Sequence, residues 1–207
     1  MKILFIHPPL VKPSEPPAGI GKLSACLAAH GVGHEVIDAN LEGIYYLLAR
    51  AGGQEQTGRW NIRACKNLSA NLSALQNLQT YGSFDRYARA VSDVNRVLHL
   101  AGGPHHVGLS LADYADEKLS PVKTSDLLFA AEHFQANPFF SYFEHRLTEA
   151  LAQSPDYIGF SLNYLSQALC AFAMIGFIKK NAPRQKILLG GTLATSWVKI
   201  TGRTDLF

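Results

Sequence analysis

The stretch from residue 155 to residue 192 constrains the fold of this chain more than any other segment. A short apolar run at residues 157–160 follows a Pro-Asp turn, which is typical of a buried strand. An apolar run rich in helix formers occupies residues 165–180, and a second short apolar run occupies residues 186–189. Strand, helix and strand in this order predict a right-handed βαβ unit whose two strands are parallel.

Polar and small residues follow each of these two strands. Because the carboxyl ends of parallel strands lie at one edge of a sheet, we expect the loops 161–163 and 190–192 to meet there, where open α/β sheets bind their ligands. The pair Gly190-Gly191 would let a ligand approach the backbone, although a plain tight turn explains the pair equally well. The side chains that could contact such a ligand are Ser161, Asn163, Ser166 and Thr192.

The first 37 residues of the chain predict a second βαβ unit. Residues 2–6 and 34–37 are predicted strands, and residues 20–30 are a predicted helix between them. The intervening loop, residues 7–19, contains five prolines, which fix the backbone and remove five amide donors. Such a loop cannot wrap a phosphate as a glycine-rich loop does. It is expected to contact the edge of a flat ligand or a partner domain, or else to act as a rigid connector.

The middle of the chain, residues 41–153, shows little strand signal and several amphipathic helical patterns. A connection this long between two strands of a sheet predicts a separate helical subdomain. We therefore divide the chain into an α/β domain, residues 1–40 plus 154–207, and a helical insertion, residues 41–153. The neighbouring His105 and His106 would point in different directions, so the histidines of the insertion are expected to be structural or exposed and not metal ligands.

Composition excludes several classes of function and partner. The 207 residues are 47% hydrophobic and 17% charged, with a net charge of +3, which predicts a globular protein without a nucleic-acid partner. A signal-peptide pattern and an apolar run of about 20 residues are both absent, so we expect a cytoplasmic protein without a membrane partner. The three cysteines have no metal-site spacing, and Cys26 and Cys170 are predicted to be buried thiols.

Residues 1–40 and 155–207 resemble the N-terminal cobalamin-binding domain of radical S-adenosylmethionine proteins. The resemblance depends on the order and strand placement of several short pieces. The matching pieces are Lys2-Ile3-Leu4-Phe5-Ile6-His7-Pro8-Pro9, Pro16-Pro17-Ala18-Gly19-Ile20, residues 27–34, Val36-Ile37-Asp38-Ala39-Asn40, Gly159-Phe160-Ser161 and Lys186-Ile187-Leu188-Leu189-Gly190-Gly191. Asn137-Pro138-Phe139-Phe140 and Tyr164-Leu165-Ser166-Gln167-Ala168-Leu169 are similar to one branch of that family.

The resemblance implies an α/β fold with a flavodoxin/Rossmann-like three-layer parallel sheet in the strand order 2-1-3-4, a fifth strand that is truncated, and a large helical insertion. It also implies that cobalamin binds at the carboxyl edge. The family's Ser-x-Leu and Gly-Gly signatures are matched at Ser161 and at Gly190-Gly191, with Asn163 in place of Leu. The signature Asp-x-His-x-x-Gly is absent, since His7 is followed by Pro8-Pro9. Cobalamin would therefore have no histidine ligand from the first loop.

The candidate cofactor-binding residues combine the resemblance with the position of the loops at the sheet edge. No catalytic residue and no metal ligand is predicted. The candidates are Pro8, Pro9, Pro17, Gly19, Ser161, Asn163, Ser166, Gly190, Gly191 and Thr192.

Radical S-adenosylmethionine chemistry needs a Cys-x-x-x-Cys-x-x-Cys motif to hold a 4Fe–4S cluster, and this motif does not occur in the chain. We therefore expect the chain to be a fragment without turnover of its own. In the intact protein, a radical enzyme, its partner would be the C-terminal catalytic domain that holds the cluster and S-adenosylmethionine. The open edge left by a missing fifth strand would favour a homodimer.

Two other functions stay open from the sequence. One is a nucleotide- or sugar-nucleotide-binding α/β domain, in which the loop at Ser161 or Gly190 would hold a diphosphate. The other is a structural docking domain that binds no cofactor and packs its proline-rich loop and insertion on a catalytic partner.

Overall fold

The computed structural model describes residues 1–52 and 57–201, and among these the chain forms six strands and nine α-helices. The strands are β1 (Lys2–Ile6), β2 (Gly33–Ile37), β3 (Val107–Leu109), β4 (Tyr114–Asp116), β5 (Tyr157–Ser161) and β6 (Lys186–Gly190). The helices are α1 (Ala18–Ala29), α2 (Ala39–Gly52), α3 (Arg59–Lys66), α4 (Leu68–Leu75), α5 (Phe84–Gly102), α6 (Thr124–Glu132), α7 (Phe140–Ala152), α8 (Ala168–Asn181) and α9 (Thr192–Thr201). Short 3₁₀ turns occupy Leu78–Gly82, Gly103–His105, Phe134–Ala136 and Leu165–Gln167.

Four parallel strands form the main sheet in the order β2-β1-β5-β6. In the register of this sheet, Ile6 lies beside Ile37 on one side and beside Phe160 on the other, and Ser161 lies beside Gly190. The predicted order 2-1-3-4 is confirmed when the strands of this sheet alone are counted. Helices flank the sheet, which confirms the flavodoxin/Rossmann-like three-layer α/β fold. The predicted end of the α/β unit, residues 202–207, lies outside the described residues.

The two faces of the sheet differ in how far they are covered. On the covered face, Leu4, Ile6, Ile158 and Phe160 belong to the main hydrophobic cluster, together with much of α8. On the open face, Phe5, Gly159 and Leu188 lie side by side in the register of β1, β5 and β6. Leu188 keeps 53% of its surface exposed, although it lies in a strand. The alternation of side chains along each strand therefore separates a core from an accessible surface.

The insertion contains two short strands that the sequence did not predict. β3 and β4 form an antiparallel hairpin, and the Ser110 hydroxyl in its loop accepts the amides of Ala112 and Asp113. Three-residue strands are too short to show an alternating pattern, which explains why the sequence of this region gives little strand signal. Within the insertion, α3 and α4 follow each other directly, with Asn67 between them.

The insertion packs against α8. A Cβ atom on Gly176 of α8 would lie 1.8 Å from the carbonyl oxygen of Ala131, so the two chain segments approach closely only because this residue is glycine. The Phe177 ring lies 5.7 Å from Phe134 and 6.0 Å from Phe143, centre to centre. Residues of the insertion and of the main sheet belong to one hydrophobic cluster. The division into two domains at residues 40 and 154 stays a prediction.

The three cysteines differ in burial: Cys26 is exposed, Cys65 is half-buried and Cys170 is buried. Cys170 lies in the core, as predicted, and burial raises the pKa of its thiol to about 12. Cys26 is exposed, so the prediction of a buried thiol there was wrong, because the residue lies on the outer side of α1. Across residues 1–52 and 57–201, no helix has the length and apolar character needed to cross a membrane.

Candidate functional site

A groove of about 890 Å³ lies at the carboxyl edge of the sheet, over the open face. The first loop and the start of α1 form one side of the groove. The loops after β5 and β6, together with α9, form the other side. Residues of the open face line the groove between these two sides. The full lining includes Phe5, Pro17, Ile20, Gly159, Tyr164, Leu188 and Lys199.

The two loops after the central strands lie side by side, as predicted from their positions at parallel strand ends. The Leu162 amide donates to the Gly190 carbonyl at 2.8 Å, and the Leu193 amide donates to the Leu162 carbonyl at 3.1 Å. The Thr192 amide donates to Asn163 Oδ1 at 3.2 Å. These three bonds join the loops into one wall of the groove. They also occupy the first two backbone amides of α9.

The two glycines of the Gly190-Gly191 pair have different roles. Gly191 has φ +100°, and a Cβ atom there would lie 2.2 Å from the Leu162 carbonyl oxygen. The missing side chain at Gly191 therefore makes room for the neighbouring loop, which agrees with the tight-turn explanation. Gly190 has no atom within 4 Å of the Cβ position and lines the groove, so it leaves open space where a ligand could lie.

Buried polar contacts hold the first loop against the turn before α8. Ser166 Oγ donates to the Leu10 carbonyl at 2.7 Å, and Gln167 Nε2 donates to the Pro8 carbonyl at 2.8 Å. Pro8 and Pro9 are buried. These residues form the support beneath the groove and do not line it.

Gln167 is fully buried and joins several segments around the groove. Its Oε1 accepts the amides of Asn163 at 2.8 Å and of Tyr164 at 3.2 Å. Its Nε2, besides binding the Pro8 carbonyl, lies 3.5 Å from Nδ1 of His7. A single amide side chain therefore connects the end of β1 with the loop after β5.

His7 follows the last residue of β1 and lines the groove. Only 2% of its surface is exposed, and within the described part of the chain its Nε2 has no hydrogen-bond partner. Burial lowers the pKa of His7 below its usual value, and the negative charge of Asp38 partly opposes this shift. His7 is therefore an imidazole that the fold favours in its neutral form.

Charged groups are present at the rim of the groove. Glu15 and Lys199 both line it. The Tyr164 hydroxyl donates to Glu15 Oε2 at 2.7 Å, and Lys12 Nζ lies 3.2 Å from Glu15 Oε1. The bond from Tyr164 lowers the pKa of the Glu15 carboxyl, and the contact with Lys12 lowers it further. An apolar surface with polar groups at its edges is suited to binding a flat, largely apolar group.

The structure brings seven of the ten predicted site residues into the lining of the groove, namely Pro17, Gly19, Ser161, Asn163, Gly190, Gly191 and Thr192. Pro8, Pro9 and Ser166 support the groove from beneath. Whether any of the ten contacts a ligand stays a prediction. Asn163 uses its side chain within the fold, since its Nδ2 donates to Ser161 Oγ at 3.3 Å.

Sequence reasoning did not select Gln167 or His7 as site residues. Gln167 is a polar residue at the start of an otherwise apolar helical run, which could have suggested a buried polar contact. His7 directly follows a buried strand, at the position from which open sheets commonly contact ligands. Among residues 1–52 and 57–201, no group of three or more His, Cys, Asp or Glu side chains is arranged to hold a metal ion.

Comparison of the chain with protein-family models, with curated proteins and with solved structures found no match.

Proposed function

We propose that this chain is a cobalamin-binding-like accessory domain of a cytoplasmic radical S-adenosylmethionine iron–sulfur enzyme, and that the groove over the open face holds the cofactor. One observation carries the proposal. The loops after β5 and β6 are hydrogen-bonded together at the carboxyl edge, directly beside a groove of about 890 Å³ over the open face of the flavodoxin-like sheet.

The residues of the groove fit such a group. Phe5, Gly159 and Leu188 form an apolar surface, and Gly190 adds space beside it. Asn163, Ser161 and Tyr164 supply polar atoms at the edge, where the amide and phosphate groups of cobalamin would need partners. When bound, cobalamin supplies the reactivity of its cobalt–carbon bond. The residues of this chain would bind the cofactor, orient it and exclude water from one of its faces.

The catalytic step is proposed to belong to another domain. The three cysteines of this chain lack the spacing that a 4Fe–4S cluster requires. The cluster and S-adenosylmethionine would be held by a catalytic domain that docks on this one, and the isolated chain is expected to show no turnover.

The alternative of a nucleotide site at the start of α9 receives less support. A phosphate at a helix N-terminus needs free backbone amides. Here the Thr192 and Leu193 amides already donate to Asn163 Oδ1 and to the Leu162 carbonyl. A diphosphate could bind them only by breaking the contacts that join the two loops.

Incubation of the purified chain with hydroxocobalamin, followed by gel filtration and an ultraviolet–visible spectrum, tests the proposal. The expected result is that corrin absorption bands elute with the protein. Gly190→Val should abolish them, because Gly190 lines the groove and has no atom of the fold within 4 Å of its Cβ position, so the new side chain would occupy ligand space.

Gly21→Val is the matched control, since Gly21 also has no neighbour within 4 Å of its Cβ position and does not line the groove. Gly191→Val is unsuitable, because its side chain would collide with Leu162 and disturb the fold. Elution of the wild-type chain without corrin bands would rule the proposal out. Retention of the bands in a folded Gly190→Val variant would place the cofactor elsewhere.

A further inference from the structure

The orientation of the Gln167 amide is fixed by the backbone around it. Its Oε1 must be the oxygen, because the two groups that face it at 2.8 and 3.2 Å are the amide donors of Asn163 and Tyr164. Its Nε2 must be the nitrogen, because it faces the Pro8 carbonyl, an acceptor, at 2.8 Å. A rotation that exchanges the two atoms would place like groups together at all three contacts.

This orientation determines the tautomer of His7. Gln167 Nε2, which carries only donor hydrogens, lies 3.5 Å from His7 Nδ1, so Nδ1 is the acceptor in this contact. A neutral imidazole has one donor nitrogen and one acceptor nitrogen. The hydrogen of neutral His7 must therefore reside on Nε2.

Nε2 of His7 is a donor without an acceptor. The side chain is almost wholly buried, lines the groove, and finds no partner for Nε2 within the described residues. The Asp38 carboxylate acts on His7 through its charge, while its Oδ1 accepts the Leu41 amide. Buried donors are nearly always paired, since an unpaired donor costs free energy.

We propose that the groove selects a ligand that presents a hydrogen-bond-accepting oxygen to Nε2 of His7, and that His7 acts there as a donor and not as a metal ligand. Coordination of a metal through Nε2 would require the hydrogen to move to Nδ1, where it would face the donor hydrogens of Gln167. An amide carbonyl, a carboxylate or a phosphate supplies a suitable oxygen. The inference rests on the proposed use of the groove as a ligand site, but not on cobalamin being the ligand.

Long-range proton–nitrogen NMR spectra of the nitrogen-15-labelled chain measure the tautomer directly. His7 is expected to carry its hydrogen on Nε2. His34 is an internal control of the opposite kind, because its Nδ1 donates to the Val32 carbonyl at 3.0 Å while its Nε2 accepts from the Ser24 hydroxyl at 2.7 Å. A His7 spectrum of the same type as that of His34 would overturn the inference.

The same spectra follow the ligand. Hydroxocobalamin, acetate and inorganic phosphate are added in separate titrations, and at least one is expected to shift the His7 Nε2 signal. A shift with phosphate or acetate but not with hydroxocobalamin would support the inference while contradicting the proposed cofactor. Binding of hydroxocobalamin that leaves the Nε2 signal unchanged would contradict the inference while supporting the cofactor. An Nε2 signal that none of the three probes moves would overturn the inference, since the donor would then serve the fold alone.

Two substitutions test whether His7 donates a hydrogen bond to the ligand or only packs within the fold. His7→Phe removes the donor and should weaken binding of the probe that shifts Nε2 by about tenfold or more. His7→Gln can place an amide hydrogen near the position of Nε2 and should keep the dissociation constant within about threefold of wild type. Equal affinity in wild type and in a folded His7→Phe variant would overturn the inference.

Discussion

The two faces of the main sheet are built from the same strands, yet one face forms part of the hydrophobic core and the other lines the groove. The covered face presents Ile158 and Phe160 to the core beneath α8, and both side chains are excluded from solvent. The open face presents Phe5, Gly159 and Leu188 to the groove. Neighbouring positions of one strand therefore belong to two different surfaces. We infer that the covered face determines stability and that the open face is available for binding.

The greatest loss of stability is expected for a substitution on the covered face. Ile158→Ala removes a side chain that is 0% exposed and should lower the free energy of unfolding by roughly 2–5 kcal/mol. Leu188→Ala, on the neighbouring strand but on the open face, should lower it by less than about 1 kcal/mol. Urea denaturation of both variants measures the difference. Equal losses would show that the open face is covered in solution, contrary to the difference between the two faces.

The second prediction concerns the wall of the groove, where substitutions at Gly190 and Gly191 should change the free energy of unfolding to different extents. Gly191→Ala should lower the free energy of unfolding by about 1–3 kcal/mol, because the residue has a positive φ and its side chain would meet the Leu162 carbonyl. Gly190→Ala faces open space and should change stability by less than about 0.5 kcal/mol. Thermal unfolding of the pair separates the two roles. A stable Gly191→Ala variant would mean that the loops are not held as closely as described.

The smallest change in stability is expected for His7, a buried residue in the lining of the groove. Burial lowers its pKa in the folded state below the reference value of 6.5, so the unfolded chain takes up the proton first as the pH falls. The contribution of neutral His7 to stability is therefore complete above about pH 6.5 and is lost as the pH falls through its folded pKa.

Urea denaturation between about pH 8 and about pH 5 measures this contribution against His7→Gln, which does not titrate. The wild-type chain should lose more stability toward low pH than the variant. Identical pH dependence in both would show that His7 is solvated and not buried as described.

The sequence predicted the parts of the molecule that depend on local pattern. The strand runs at residues 2–6, 157–160 and 186–189 are apolar and bounded by turn residues, so their assignment followed from local pattern and their parallel direction from βαβ rules. The order of the strands in the sheet was implied by the resemblance to a known family, and the structure confirms it. The position of the loops at one edge followed from the parallel direction of the strands.

The remaining features depend on contacts between distant residues. Gln167 binds the carbonyl of Pro8, 159 residues earlier in the chain, and no local pattern indicates that pair. The need for glycine at residue 191 arises from its positive φ and from the Leu162 carbonyl of a different loop. The exposure of Cys26 depends on which side of α1 is left uncovered, and helical periodicity alone does not decide this.

The hydrogen bonds of Gln167 have a mechanical consequence. Its amide connects the first loop with the loop after β5, and Asn163 connects that loop with the start of α9. Because these hydrogen bonds connect the three segments, a movement of one segment would strain the bonds to the other two. We therefore infer that the rim of the groove is preorganised. A ligand that fits this shape would lose little binding energy to ordering the protein, whereas one that needs a wider opening would have to break several of these hydrogen bonds at once.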